Sequence, residues 1–183
     1  MEKMKVRDLM VPADQFPKIA DHATFYDALV ALETAQEKFL TGSAKQRILL
    51  VQDKNGKIIS KISPIDLMRG LETQYKELDM SDIIRRSGLT YIWTTMQNDL
   101  RLWEDPFGDL CRKAIEVKIG NFIQPPGKGQ LVGTDDVLAK CFHLFVINRH
   151  DSLFVVENDD IIGLLRFSDV YKKVSQTMKA CAI

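Results

Sequence analysis

Two aspartates, Asp66 and Asp169, stand where an apolar run gives way to a helix start. Each has a polar side chain one turn earlier: Ser63 before Asp66, Arg166 before Asp169. A carboxylate at a helix start meets the positive end of the dipole, so simple capping is one reading of both acids. Ser63-Pro64 and Phe167-Ser168 read as ordinary caps, and for Arg166 a solvated side chain or a salt bridge to Asp159 or Asp160 is the plain alternative to an anion contact. Other reactive residue types form no constellation. His22, His143 and His150 are scattered, without the companion ligands a metal needs. Cys141 falls on an apolar helix face and reads as core, while nothing marks Cys111 as reactive. Gly127-Lys128-Gly129 lacks the spacing of a phosphate-binding P-loop. No catalytic group or metal site is legible.

The elements that must hold the two acids come twice. Ile48 to Met68 reads as strand, tight turn, strand, helix start, and Leu153 to Tyr171 repeats the plan. Short continuous apolar runs such as Ile48 to Val51 mark strands buried on both faces. Asp53-Lys54-Asn55-Gly56 and Asn158-Asp159-Asp160 supply turns. Val51 aligns with Val156 and Asp66 with Asp169, which makes the first turn two residues longer. Before each hairpin comes a helix. Thr24 caps one over about Phe25 to Phe39; Thr134 or Asp135 caps the other, whose Leu138, Cys141, Phe142 and Phe145 face one way. Earlier still come short helical turns at Val6 to Met10 and Val117 to Ile123, then short strands at Pro17 to Ala20 and Leu131-Val132. Residues 72–116 break the rhythm and read as a helical insertion, with a helix start at Ser81, packing anchors at Trp93 and Trp103, and a helix over Leu110 to Val117. The expected units are therefore 1–71, 72–116 and 117–183.

Composition narrows the classes. The 183 residues carry 25 basic and 25 acidic side chains, without the basic excess of a nucleic-acid binder. No run approaches the roughly 18 apolar residues of a membrane helix, and no signal peptide is legible. Three separated cysteines without CxxC spacing suit a reducing cytoplasm.

The repeated plan resembles the cystathionine-β-synthase (CBS) domain, a βαββα unit that usually pairs into a Bateman module. The family signature is Gly, a hydrophobic residue, Ser or Thr, and an Asp at the end of the last strand. Ser60-Lys61-Ile62-Ser63-Pro64-Ile65-Asp66 and Gly163-Leu164-Leu165-Arg166-Phe167-Ser168-Asp169 each keep part of it. Ser60 replaces the glycine in the first copy, where it would narrow the cleft, and Arg166 replaces the hydroxyl residue in the second. Val6-Arg7-Asp8-Leu9-Met10 also resembles the family's opening. The resemblance covers about Lys5 to Leu71 and Lys118 to Lys179 and leaves the insertion unexplained. It implies an α/β fold: tandem βαββα CBS domains forming a pseudo-two-fold Bateman module.

The resemblance further implies adenine nucleotides in clefts between the paired domains. Asp66 and Asp169 would accept ribose hydroxyls by charge-assisted bonds. Ser63, with the helix N-terminus behind it, would donate to a phosphate, and Arg166 would substitute for a hydroxyl by its charge. Backbone at Ala20 and Val132 would border the base. The expected ligand is AMP, ADP or ATP, with S-adenosylmethionine or NAD as options, and no metal is required. The leading expectation is a non-enzymatic, cytoplasmic, homodimeric regulatory module that relays nucleotide level to a separate protein, with no nucleic-acid or membrane partner. The alternative is a dimerisation scaffold with degenerate sites.

Overall fold

The computed structural model describes residues 3–71 and 107–181. The helix start at Ser81 and the anchors Trp93 and Trp103 lie outside them. Two sheets form the centre. Strands β2 (Lys18–Ala20), β3 (Leu49–Gln52) and β4 (Ile58–Ile62) make a three-stranded sheet in the order β2-β3-β4. Strands β1 (Val11–Pro12), β5 (Leu131–Gly133), β6 (Ser152–Glu157) and β7 (Asp160–Arg166) make a four-stranded sheet in the order β1-β7-β6-β5. Each sheet contains the same core: a parallel pair, β2 with β3 or β5 with β6, followed by an antiparallel hairpin. In the second hairpin, Asn158 and Asp159 both take positive φ, as a two-residue hairpin loop demands. Asp160 is already in the strand.

Helices cover the outer faces: α1 (Phe25–Leu40) and α2 (Pro64–Gly70) on the first sheet, α4 (Leu138–Asn148) and α5 (Phe167–Ala180) on the second. The short α3 (Leu110–Glu116) precedes the second half. Thr24 caps α1 as expected: its hydroxyl accepts from the Asp27 N–H at 3.0 Å, while Asp27 accepts from the Thr24 N–H at 2.8 Å. The other cap differs. Helix α4 starts at Leu138, not after Thr134 or Asp135, because residues 134–136 are held by the chain's beginning. The Val6 and Arg7 N–H groups bind the Asp136 and Thr134 carbonyls, and the Leu138 N–H binds the Met4 carbonyl. Phe142 does not share the core face with Leu138, Cys141 and Phe145; it is 43% exposed, because it lies beside that stripe on the next position round the helix. Phe39, at the end of α1, is also exposed, with the Arg47 guanidinium over its ring.

The leading segments are exchanged. Val6 is fully buried in the second half's core with Val132, Leu138, Leu153 and Leu165. Ile119 and Phe122 are buried in the first half's core with Phe25, Leu49, Ile62 and Leu67. The matching bonds repeat: the Phe25 N–H binds the Val117 carbonyl, and the Ile119 N–H binds Ala23. Leu50, Phe154, Leu164 and Phe16 form a third buried cluster that joins the sheets. Between halves, Lys57 pairs with Asp160 at 2.7 Å, and Lys61, itself mostly buried, binds Asp151 and the Ser152 hydroxyl.

Candidate functional site

Each of the two acids sits in the first turn of its helix, where the exchanged segment of the other half passes by. In the first half, Ser63 directs both its N–H and its hydroxyl to one Asp66 oxygen, at 2.9 and 2.5 Å. That is local capping, and it commits the Ser63 proton to Asp66. The other Asp66 oxygen lies 3.7 Å from Arg69. Asp66 borders a cavity of about 80 Å³ with Ser60, Lys61, Phe122, Gln124 and Pro125. Ser63 opens instead onto a separate space of about 870 Å³ between α1 and α2, with Leu29, Leu32, Pro64, Leu67 and Asp151 among its walls.

The second half is arranged differently. Arg166 does not reach Asp159 or Asp160. Those acids project from the hairpin tip at the far end of β7, and Arg166 turns along its own helix start instead. Its Nε and Nη2 donate to the two Asp169 oxygens at 2.6 and 2.8 Å, a fork-on-fork pair. Its Nη1 donates across to the first half, to the Gln46 side-chain oxygen at 2.7 Å and the Lys45 carbonyl at 3.3 Å. Asp169 lines a cavity of about 430 Å³ with Asp8, Leu9, Met10, Val11, Lys172 and Lys173. Two aspartates and two lysines therefore line one cavity, while Arg166, bound to Asp169, is not among its walls.

The two clefts differ at the position where Ser60 stands in the first copy and Gly163 in the second. At Gly163 a Cβ would lie 2.4 Å from the Val11 carbonyl oxygen. The bare glycine lets the passing segment lie down as β1, with Val11 opposite Leu164 and Pro12 opposite Gly163. At Ser60 the hydroxyl fills that space and donates to the Gln124 carbonyl at 2.7 Å. Ser60 lines the smaller cavity, of about 80 Å³.

The backbone positions fall elsewhere. Ala20 ends β2, and its carbonyl accepts from the Ala23 N–H. Val132 is buried in β5 opposite Val155. Neither lines the Asp66 or the Asp169 cavity. The residues not singled out in the sequence were Lys172, Lys173 and Val11, together with the buried Gln46. The two lysines lie one turn beyond Asp169, so helical spacing alone places them on its side. Gln46 had no local signal. Burial raises the Cys141 thiol to about 11, which fits an inert core side chain. Among the described residues no group of three or more His, Cys, Asp or Glu gathers to hold a metal, and no helix is long and apolar enough to cross a membrane.

Residues 130–176 match the family model of the CBS domain. No curated protein matches the sequence. Solved structures with a similar fold include CBSX2 in complex with AMP, at 19% identity and a TM-score of 0.56, covering 95% of this chain and 98% of that one. A conserved CBS domain protein of Thermoplasma acidophilum, TA0289, gives 16% identity and a TM-score of 0.56 over 95% of this chain and 71% of that one. A CBS domain-containing protein of unknown function from Kribbella flavida gives 20% and 0.52 over 94% and 99%. At these identities the likeness is one of fold, and it extends over both halves.

Proposed function

We propose, for a chain that carries a CBS domain and has the fold of tandem CBS-domain proteins, that it is a regulatory module taking an adenine nucleotide in the Asp169 cleft. The observation that carries this reading is the 430 Å³ cavity that brings Asp169 together with Lys172 and Lys173. Its volume, like that of the 870 Å³ space beside Ser63, lies within the roughly 300–1,000 Å³ of small-molecule sites, whereas 80 Å³ at Asp66 does not; of the three, the Asp169 cavity is the one that sets two lysines beside a repeated aspartate. A carboxylate has about four acceptor positions. Arg166 uses two at Asp169, leaving two for ribose hydroxyls. The lysines suit phosphate, and they disfavour a cationic ligand such as S-adenosylmethionine, while Arg166 holds Asp169 in place. CBSX2, whose structure holds AMP, supports the choice of nucleotide. In this reading Asp66 and Ser63 serve mainly as a helix cap, Ala20 and Val132 do not touch the ligand, and no metal takes part. The chain catalyses nothing itself. It answers nucleotide level in the cytoplasm by changing the fit of its halves for a separate, unidentified protein.

Calorimetry and thermal shift with AMP, ADP, ATP, S-adenosylmethionine and NAD test this. One adenine nucleotide binds the wild type. Asp169→Ala weakens it by about ten- to a hundredfold, the worth of charge-assisted hydrogen bonds. Asp66→Ala leaves affinity unchanged. Binding that survives Asp169→Ala but not Asp66→Ala would move the site to the first half.

A second reading, a homodimerising scaffold, is favoured by apolar side chains exposed on the outer helices: Val146 and Ile147 on α4, Phe167, Tyr171 and Met178 on α5. A chain that sediments as a dimer and binds none of the five ligands would decide for it.

A further inference from the structure

The two repeated aspartates hold the same position, the third of their helices, and are tied down differently. Asp66 turns back on its own helix start: one oxygen takes the Ser63 N–H and hydroxyl and closes a capping box. Asp169 closes no such box. Both its oxygens are taken by Arg166, one by Nε and the other by Nη2. A two-point contact with a planar group fixes the plane of a carboxylate as well as its place. Asp169 lines the 430 Å³ cleft and Arg166 does not, so the grip comes from outside the cavity's lining. What holds Arg166 belongs to the other half. Its Nη1 donates to the Gln46 side-chain oxygen at 2.7 Å and to the Lys45 carbonyl at 3.3 Å. Gln46 is 3% exposed, so that bond is shielded from competing water. Gln46 and Asp151 differ in type but stand at one place in the repeat, each five residues before the aligned Val51 and Val156. Each accepts from a cation of the opposite half, Asp151 from Lys61 and Gln46 from Arg166. The Lys61 ammonium is a point charge and is committed to Asp151 and Ser152. The Arg166 guanidinium is a rigid fork with donors on several sides, so it joins Gln46 to Asp169 in one piece.

We propose that Gln46 is a positioning residue for the Asp169 cleft: through the rigid Arg166 guanidinium, a buried amide of the first half sets the carboxylate that accepts the ribose hydroxyls in the second. The inference rests on the nucleotide reading of that cleft. It adds a residue that lies outside the cavity's lining. The bridge acts by being in place before the ligand arrives, and all its contacts persist when the ligand is bound. Without Gln46 the guanidinium loses its buried anchor, and the acceptor positions left on Asp169 lose their fixed direction.

The test titrates AMP, ADP and ATP, each beside its 2′,3′-dideoxy counterpart, which lacks both hydroxyls that Asp169 accepts. The wild type prefers the ribonucleotide by about ten- to a hundredfold. Gln46→Leu removes the acceptor and keeps the volume. It weakens the ribonucleotide by about tenfold and leaves the dideoxynucleotide unchanged, so the preference shrinks. Gln46→Glu keeps an acceptor in place and keeps the preference. Arg166→Met removes the whole bridge and shrinks the preference too, and Gln46→Leu adds nothing further in that background. Circular dichroism and thermal midpoints check that the variants fold, and Gln46→Met, unbranched like glutamine, replaces a Gln46→Leu that does not. A glutamine that only holds the fold together weakens both nucleotides alike and leaves the preference intact; that result overturns the positioning role and leaves the nucleotide reading in place. A wild type that binds ribonucleotide and dideoxynucleotide equally also overturns it. A folded wild type that binds none of the three ribonucleotides overturns both.

Discussion

Ser60 and Gly163 occupy the same place in the two halves, and one hydroxymethyl group separates their surroundings. At Gly163 the Val11 carbonyl and the Met10 methyl already hold the position of a Cβ, at 2.4 and 2.7 Å. Gly163→Ala therefore has to push backbone away, which loosens the pairing of β1 with β7. Overpacking of this kind costs about 1–3 kcal/mol. Ser60→Gly does the opposite: it removes a hydroxyl bonded to the Gln124 carbonyl and leaves space. The lost bond is worth about 1 kcal/mol, and the space enlarges the 80 Å³ cavity. Urea unfolding of both variants checks the signs and sizes, and a nucleotide titration of Ser60→Gly shows whether the first cleft can be opened. A Gly163→Ala protein as stable as wild type would mean that the β1 contact contributes little. Sequence reading reached the asymmetry, because Ser60 stands where a strand glycine was expected. It missed what the asymmetry does to the passing segment, because that segment comes from the other half of the chain.

The elements themselves were legible where local pattern decides them. The helix after Thr24, both hairpins, and Pro64 at the first position of α2 follow from capping, turn chemistry and proline's fixed φ. The start of α4 was not legible. Thr134 and Asp135 are good caps by type, yet the first N–H of that helix is taken by the Met4 carbonyl, a partner more than a hundred residues away. The same long reach decides which core each short leading segment joins. Val6 belongs by position to the first half and by packing to the second. Val6→Ala deletes buried apolar surface worth about 2 kcal/mol. Hydrogen exchange should quicken in β5, β6, β7 and α4, while α1 and β3 keep their protection. Loosening confined to the first half would contradict the exchange of segments. The two acids of the candidate site were found because they repeat, whereas Gln46 and the two lysines of the Asp169 cleft carry no repeated mark.

At the scale of the molecule, the halves are joined by an apolar layer and by polar ties, and the ties make the joint sensitive to acid. Leu50, Phe154, Leu164 and Phe16 supply the layer, which does not titrate. His150 lies in the same corner as the Lys61–Asp151 pair. Burial and the nearby Lys61 charge hold its imidazole below the usual histidine range. Burial opposes ionisation of Asp151, but the Lys61 charge and hydrogen bonds from Lys61 and Ser152 win and hold its carboxyl below the usual range. Both groups therefore take up a proton more readily in the unfolded chain. For His150 the stabilisation is complete above the unfolded value of about 6.5 and declines as pH falls below it. For Asp151 it is complete above about 3.9 and is lost as pH falls through the depressed folded value. The thermal midpoint should thus hold level above about pH 7, fall gently toward pH 5, and fall again below about pH 4. His150→Gln should remove the first decline and keep the second. Asp151→Asn should lower the midpoint at neutral pH, because it leaves the Lys61 ammonium with neutral partners in a confined place, and it should reduce the second decline without removing it, because Asp27, Asp53, Asp135 and Asp136 are also held below the usual carboxylate range. A midpoint that falls between pH 7 and 5 equally in wild type and His150→Gln would place that part of the acid sensitivity outside this corner, leaving only the decline below pH 4 to the Lys61–Asp151 tie.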